Sequence, residues 1–204
     1  NTGSVSILYT LDGSDPTRNA KVYNRPFKID STCIIKTKAY SGNDSSVVTQ
    51  AHFYKLLHDY TVTINSDVNA QYAAEGSKSL VDGIYASTDW RKGDWIGCQG
   101  QDFECIVDLG AKRDISYLSL NCLQDTRSWI LFPKQINFYG SSDGQVFSLL
   151  AQASTLVKPD DYAIQSYKYE KKLDKKLNVR YVKIIATKFG RLPEWHIGQG
   201  GQAF

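Results

Sequence analysis

In the stretch Phe103-Glu104-Cys105-Ile106-Val107-Asp108-Leu109, four apolar residues (103, 105, 107 and 109) stand at every second position. A period of two places them on one face of a half-exposed antiparallel strand. Similar runs cover residues 60–64, 115–122, 135–140, 146–152, 166–173 and 180–188, with turn formers between them. Only residues 75–81 suit a short helix. Seven such strands predict a β-sandwich over residues 59–204.

The first 58 residues read as a separate unit. Val5, Ile7, Tyr9 and Leu11 share one face of a strand that breaks at Asp12-Gly13-Ser14-Asp15-Pro16. Here Asp12-Gly13 turns the chain, Asp15 is expected to cap its own backbone, and Pro16 fixes φ. Further strand-like runs at 23–29, 33–40 and 47–57 predict a small β-sandwich. A unit near sixty residues buries only about 60% of its unfolded surface, so this one is expected to be marginal alone.

Composition agrees with an all-β chain. Aspartate outnumbers glutamate 17 to 4, and the 15 glycines, 13 tyrosines and 4 tryptophans in 204 residues suit turns and aromatic strands, not a helical bundle. The absence of methionine is expected of an excised or processed piece. No apolar run approaches about 18 residues, so no membrane insertion is expected, and any signal peptide would stand upstream of Asn1. A net charge of +3 is too weak to announce nucleic acid. Cys33, Cys98, Cys105 and Cys122 lack Cys-x-x-Cys spacing. Cys105 and Cys122 sit in alternating strand patterns and read as buried thiols, while a Cys98–Cys105 loop stays open as an alternative in an oxidising compartment.

Two resemblances follow from particular residues. Tyr9-Thr10-Leu11-Asp12-Gly13-Ser14-Asp15-Pro16-Thr17, with Tyr23, Pro26-Phe27 and Ser31-Thr32, resembles the small C-terminal β-domain of bacterial chitobiases and β-hexosaminidases. Leu80-Val81-Asp82-Gly83, Trp95, Asp108-Leu109-Gly110, Pro133-Lys134-Gln135, Tyr139-Gly140-Ser141-Ser142-Asp143-Gly144 and Arg180-Tyr181-Val182-Lys183 together resemble the coagulation-factor-5/8 type C, or discoidin-like, domain. That resemblance implies a galactose-binding-like jelly-roll β-sandwich shared with family-32 carbohydrate-binding modules. The segments 83–87 and 95–97, Trp129-Ile130 and 192–201 resemble the version appended to family-20 β-N-acetylhexosaminidases. The resemblances imply a two-domain accessory region, 1–58 and 59–204, whose partners are glycans and an upstream catalytic domain of the same polypeptide. They also imply a secreted, periplasmic or cell-surface place in a bacterium.

The segment itself reads as non-catalytic. The substrate-assisted route of family-20 enzymes needs an adjacent Asp-Glu pair, and no Asp-Glu dipeptide occurs in the chain. Asp160-Asp161, beside Pro159, reads as a solvated turn. His52, His58 and His196 are too scattered for a metal set.

Three loops pair aromatic rings with planar polar groups, as recognition of a sugar's apolar face and hydroxyl rim requires. They are 89–95, 124–129 and 191–196, offering Trp90, Arg91, Arg127, Trp129, Arg191, Glu194, Trp195 and His196. Each aromatic has a competing reading. Trp95 fits a packing role at the barrel end better than a contact. Trp129 precedes an apolar run, Ile130-Leu131-Phe132, and either follows it inward or stays out. Trp90 reads as the least anchored. The alternative for the whole region is a purely structural role, buttressing a catalytic barrel or a protein contact.

The discoidin-like resemblance further implies a structural Ca2+ at Asp82 and Thr88, with backbone carbonyls. It also implies a closing strand with an acidic ligand beyond Phe204. Finally, residues 168–176 hold five lysines in nine positions. They read as a solvated strand edge, with a groove for sulfated or uronic glycans as the sharper alternative.

Overall fold

The computed structural model describes residues 4–56 and 58–204. The chain is all-β and divides into two compact units, Asn1–Leu57 and His58–Phe204.

The first unit is built on β3 (Cys33–Ser41), which pairs antiparallel with β1 (Ser6–Thr10) on one side and with β4 (Asp44–Ser45) and β5 (Thr49–Phe53) on the other. A two-residue strand, β2 (Lys21–Val22), adds to β1. Three sequence expectations need correction. The buried side chain of β1 is Leu8, while Val5, Ile7 and Leu11 are exposed, so the opposite face carries the packing. Residues 23–29 form no strand, because Pro26 lacks the N–H a ladder needs. At the turn it is Asp12, not Asp15, that caps: its Oδ1 accepts from Ser14 N at 3.0 Å, while Asp15 pairs with Lys36 at 2.7 Å. Leu57, the expected end of the last run, lies outside the described residues.

The second unit is a jelly-roll β-sandwich dominated by two long antiparallel strands, β7 (Phe103–Gln124) and β10 (Gln165–Thr187). Each merges two runs that the sequence pattern separates. Residues 103–109 of β7 carry Cys105, Val107 and Leu109 inward, whereas beyond the bend at Gly110 (φ 78°) the inward set is Leu118, Leu120 and Cys122. The parity switches because the bend inserts an odd number of residues. β10 does the same at register shifts between Lys172 and Leu177 and between Val179 and Tyr181, which re-aim its side chains as bulges do. The two halves of each strand therefore lie in opposite layers, facing one another across a common core.

One layer is completed by β6 (Thr61–Ile64) beside β7 and by β8 (Gln135–Ser141) and β9 (Ser148–Ala153) beside β10. In the other, residues 165–172 of β10 pair only with β7, so the lysine run does lie on a sheet edge among the described residues. Arg180 braces the bend by a two-pronged contact to Asp108, both at 2.9 Å. That guanidinium is the main reason the Asp108 carboxyl is held below the usual carboxylate range. The fully buried Tyr169 donates its hydroxyl to Pro133 O at 2.9 Å. All four cysteines are thiols, and burial pushes Cys105 and Cys122 up to about 12.

Short 3-10 turns at Ala70–Tyr72, Ser77–Leu80, Trp90–Lys92 and Thr126–Ser128 punctuate the connections. The helix expected at 75–81 is one of these single turns. Between the free edge of β7 and the irregular segment 79–98 lies a cavity of about 470 Å3, walled by Trp95, Phe103, Leu120 and Phe204 among others.

Gly140 occupies an inward position of β8 where an added Cβ would stand 2.8 Å from Leu150 Cδ1 and 2.9 Å from Val179 Cγ1. Gly140→Ala is expected to destabilise the unit by about 1–3 kcal/mol through overpacking, read as a lower denaturation midpoint in urea with an unchanged slope.

Candidate functional site

At the far end of β7 from its bend, three consecutive positions leave the ladder with polar side chains that are nevertheless inside. Gln124, Asp125 and Thr126 are 1%, 5% and 0% exposed, and His196 of the last loop is 3% exposed. A buried polar group must find partners, and here the partners are other loops. Gln124 Nε2 donates to Lys158 O and Asp161 O at 3.0 and 3.1 Å. Thr126 Oγ1 lies 3.0 Å from Pro159 O and from Asp161 O. Asp125 Oδ2 accepts from Trp90 Nε1 at 3.0 Å and from Ser128 Oγ at 2.7 Å. His196 Nδ1 accepts from Gly198 N at 2.9 Å, so its proton resides on Nε2, which donates to Thr126 O at 2.6 Å.

The segments around 89–92, 124–130, 158–162 and 191–201 are thereby tied to one hub. Its outer surface is aromatic. Trp129, Tyr162 and Trp195 are 37%, 43% and 44% exposed. The Trp195 ring lies 6.3 Å from Tyr162 and 5.7 Å from His196, and Trp129 lies 6.4 Å from His196. The exposed Arg127 guanidinium stands 5.6 Å over Tyr162.

Trp129 is held in a demanding posture. Its φ of 65° is left-handed, uncommon for a bulky residue and costly enough to persist only where neighbours enforce it. Trp129 N donates to Thr126 O at 3.2 Å and Trp129 O accepts from Phe204 N at 2.9 Å. The six-membered ring of its indole spans two glycines: a Cβ on Gly198 would be 2.5 Å from Cζ2, and one on Gly201 2.7 Å from Cζ3. The two glycines thus give the ring a seat that no other residue would leave open.

The four tryptophans divide by what their N–H groups do. Trp90 donates to Asp125 and Trp95 to Ser87 O at 2.7 Å, both half-buried. Neither Trp129 nor Trp195 has a hydrogen-bond partner for Nε1 among the described residues. Trp90, read from the sequence as the least anchored, is thus firmly tied. Its neighbour Arg91 is exposed and bonded to Asp89 at 2.7 Å. Arg191 is exposed and its Nη1 donates to Gly200 O at 2.7 Å, bracing the loop that carries Glu194 and Trp195. Glu194 is exposed. His196 stands behind this surface, with both ring nitrogens engaged, as a positioning residue.

Sequence reasoning missed Tyr162, Asp125, Thr126 and the supporting role of 158–161. The signal available was the polar trio Gln124-Asp125-Thr126 continuing directly from an apolar strand. Asp82 and Thr88 make no hydrogen bond to the hub residues among the described residues. Asp82 is half-buried and its Oδ1 accepts from Ile84 N at 2.8 Å, while Thr88 is exposed. Among the described residues no three His, Cys, Asp or Glu side chains gather into a metal group. Asp82 and Thr88 suit a hard cation in kind but supply only two of the roughly six to eight oxygens calcium takes.

Comparison with known proteins places these features in a family. The model described as F5/8 type C domain matches residues 61–201, and the one described as Fn3 associated matches residues 1–52. No curated protein matches the chain. Among solved structures, CpGH89CBM32-5 from Clostridium perfringens in complex with GalNAc-β-1,3-galactose is similar at 13% identity and a TM-score of 0.42, over 71% of this chain and 90% of that one. The C-terminal domain of a chitobiase from Bacteroides fragilis is similar at 20% identity and 0.38, over 71% and 87%. The family 32 carbohydrate-binding module from Streptococcus pneumoniae EndoD is similar at 13% identity and 0.44, over 69% and 90%.

The hub makes a direct demand on Thr126. Thr126→Val keeps the shape and removes the hydroxyl, leaving the Pro159 and Asp161 carbonyls without it; the expected cost is about 1–3 kcal/mol in urea unfolding, whereas Thr126→Ser is expected to recover most of it.

Proposed function

The chain belongs to the F5/8 type C domain family, and from that premise we propose that the end of the sandwich bearing Trp129 and Trp195 binds N-acetylhexosamine- or galactose-containing glycans. In this reading both units form a non-catalytic accessory region of a secreted or surface β-N-acetylhexosaminidase of the chitobiase kind. Its effect is to tether an upstream catalytic domain to its substrate, raising local concentration without new chemistry.

The carrying observation is the pair of exposed indoles whose N–H groups are unspent, fixed on a buried polar hub beside Arg127. Each ring offers a flat apolar face for the C–H side of a sugar, and each N–H a donor for a hydroxyl or an acetamido oxygen. Arg127 adds further donors in a planar array. Because the hub immobilises these groups beforehand, little ordering is left to oppose binding. Among the described residues no helix is long and apolar enough to cross a membrane.

The test is a glycan array probed with the 204-residue chain, followed by titration of the best hexosamine or galactose ligand. Trp129→Ala and Trp195→Ala are each expected to weaken binding by at least about tenfold, or 1.4 kcal/mol. Gly198→Ala, whose new Cβ displaces the Trp129 indole, is expected to weaken it similarly while shifting the Trp129 indole N–H resonance and leaving that of Trp95 in place. Unchanged titration by all three variants would remove this site, and a chain that retains no glycan would leave the buttressing role.

Calcium enters the proposal only as a brace for the Asp82 turn, with backbone carbonyls completing the oxygen set. A fall in Tm on chelation that added calcium reverses, and that Asp82→Asn abolishes, is the expected outcome; a Tm indifferent to chelator removes the ion from the reading.

A further inference from the structure

The lysine run of β10 ends at the opposite end of the same two-stranded layer from the aromatic cluster. Lys172 faces Tyr117 and Gln165 faces Gln124, so about eight strand positions, roughly 25 Å, separate the two. At the bend the register shift between Lys172 and Leu177 pushes out Asp174, Lys175 and Lys176, while β7 turns through Lys112 and Arg113. Asn178 Nδ2 donates to Asp114 Oδ1 at 2.7 Å and locks the two turns together.

The charge gathered there is one-sided. Residues 112, 113, 171, 172, 175 and 176 are six cations, against Asp114 and Asp174, a surplus of four in a chain whose whole net charge is +3. Arg113 is held by Leu109 O at 3.1 Å and by the Tyr60 ring at 5.7 Å. Lys112, Lys171, Lys172, Lys175 and Lys176 are all exposed, and none has an ion pair among the described residues. Lys168, one turn of the pleat away, is different: it pairs with Glu170 at 3.4 Å and sits over the rings of Tyr85 and Tyr117. Like charges placed side by side oppose the fold unless a counter-charge is brought to them.

We propose that this basic bend is a second binding surface, for an acidic polysaccharide carrying sulfate or carboxylate groups, separate from the loop-end aromatic site and independent of it. Ammonium groups on long stems adapt to irregularly spaced anions, and the exposed Tyr117 stands opposite Lys172 beside them. A lipid surface fits less well. The apolar residues at the bend itself, Leu173 and Leu177, are both half-buried, so neither is offered to a bilayer as a spike.

Heparin is the probe. The 204-residue chain is applied to immobilised heparin and eluted with NaCl, beside Lys175→Glu/Lys176→Glu and a control, Lys21→Glu/Lys28→Glu, that changes the net charge equally in the first unit. Wild type and control are expected to elute above about 0.15 M salt, where diffuse attraction is largely screened, and the bend variant to bind at least about tenfold more weakly. Equal weakening of both variants, or loss of wild type at low salt, overturns the proposal. Lysine-dependent binding to phosphatidylserine vesicles without binding to heparin overturns it in favour of a lipid surface. Trp129→Ala is expected to leave heparin elution unchanged, which separates this surface from the loop-end site.

Discussion

The arrangement of the loop end depends on burying Gln124, Asp125, Thr126 and His196 together. Where strands of a sandwich stop, their ladder hydrogen bonds stop too, and the crossing loops bring carbonyls and N–H groups with no partners of their own. Gln124 and Thr126 donate to the 158–161 carbonyls, Asp125 gathers Trp90 and Ser128, and His196 joins the 126–128 turn to Gly198. Satisfied in full, such a network is rigid; with one member missing it becomes a buried polar defect. The strained Trp129 backbone is affordable only because this network over-determines it.

The hub in turn relies on how β7 and β10 turn between layers. A bend at Gly110 and two register shifts in β10 invert the inward parity, so that one long strand can face the core from both sides. Were either strand to continue without its irregularity, Leu118, Leu120 and Cys122 would point outward. Gln124 would then reach the wrong face and its carbonyl acceptors would lie out of range. Irregular backbone far from the loops thus decides which side chains the loops receive.

Much of the second unit was legible in period-two patterning, because each buried strand there alternates against a single core. What was not legible is that runs 103–109 and 115–122 are one strand, since pairing across a bend with β10 leaves no trace in side-chain periodicity. The first unit misled for a related reason: Ile7, Leu8 and Tyr9 are apolar in succession, so alternation alone could not say that Leu8 is the buried member. At the site, the loops and their tryptophans could be read from composition. Which indoles are free could not, because that turns on Asp125 and Ser87 O, acceptors contributed by distant or irregular segments. His196 looked like a contact residue for the same reason that it is a good brace, a polar ring among glycines.

The two ends of the layer formed by residues 115–124 and 165–172 embody opposite ways of meeting a ligand. At the hub end the rings are seated on glycines and locked by buried hydrogen bonds, which favours a partner of one shape and stereochemistry. At the bend the lysines are extruded on a bulge with their ammonium groups in water, where attraction is long-ranged, salt-sensitive and tolerant of spacing. A rigid pair of sheet strands connects these ends at a fixed separation. Because the two surfaces share no residue, occupancy of one leaves the geometry of the other unchanged, so the charge of a glycan, more than its length, decides which end holds it.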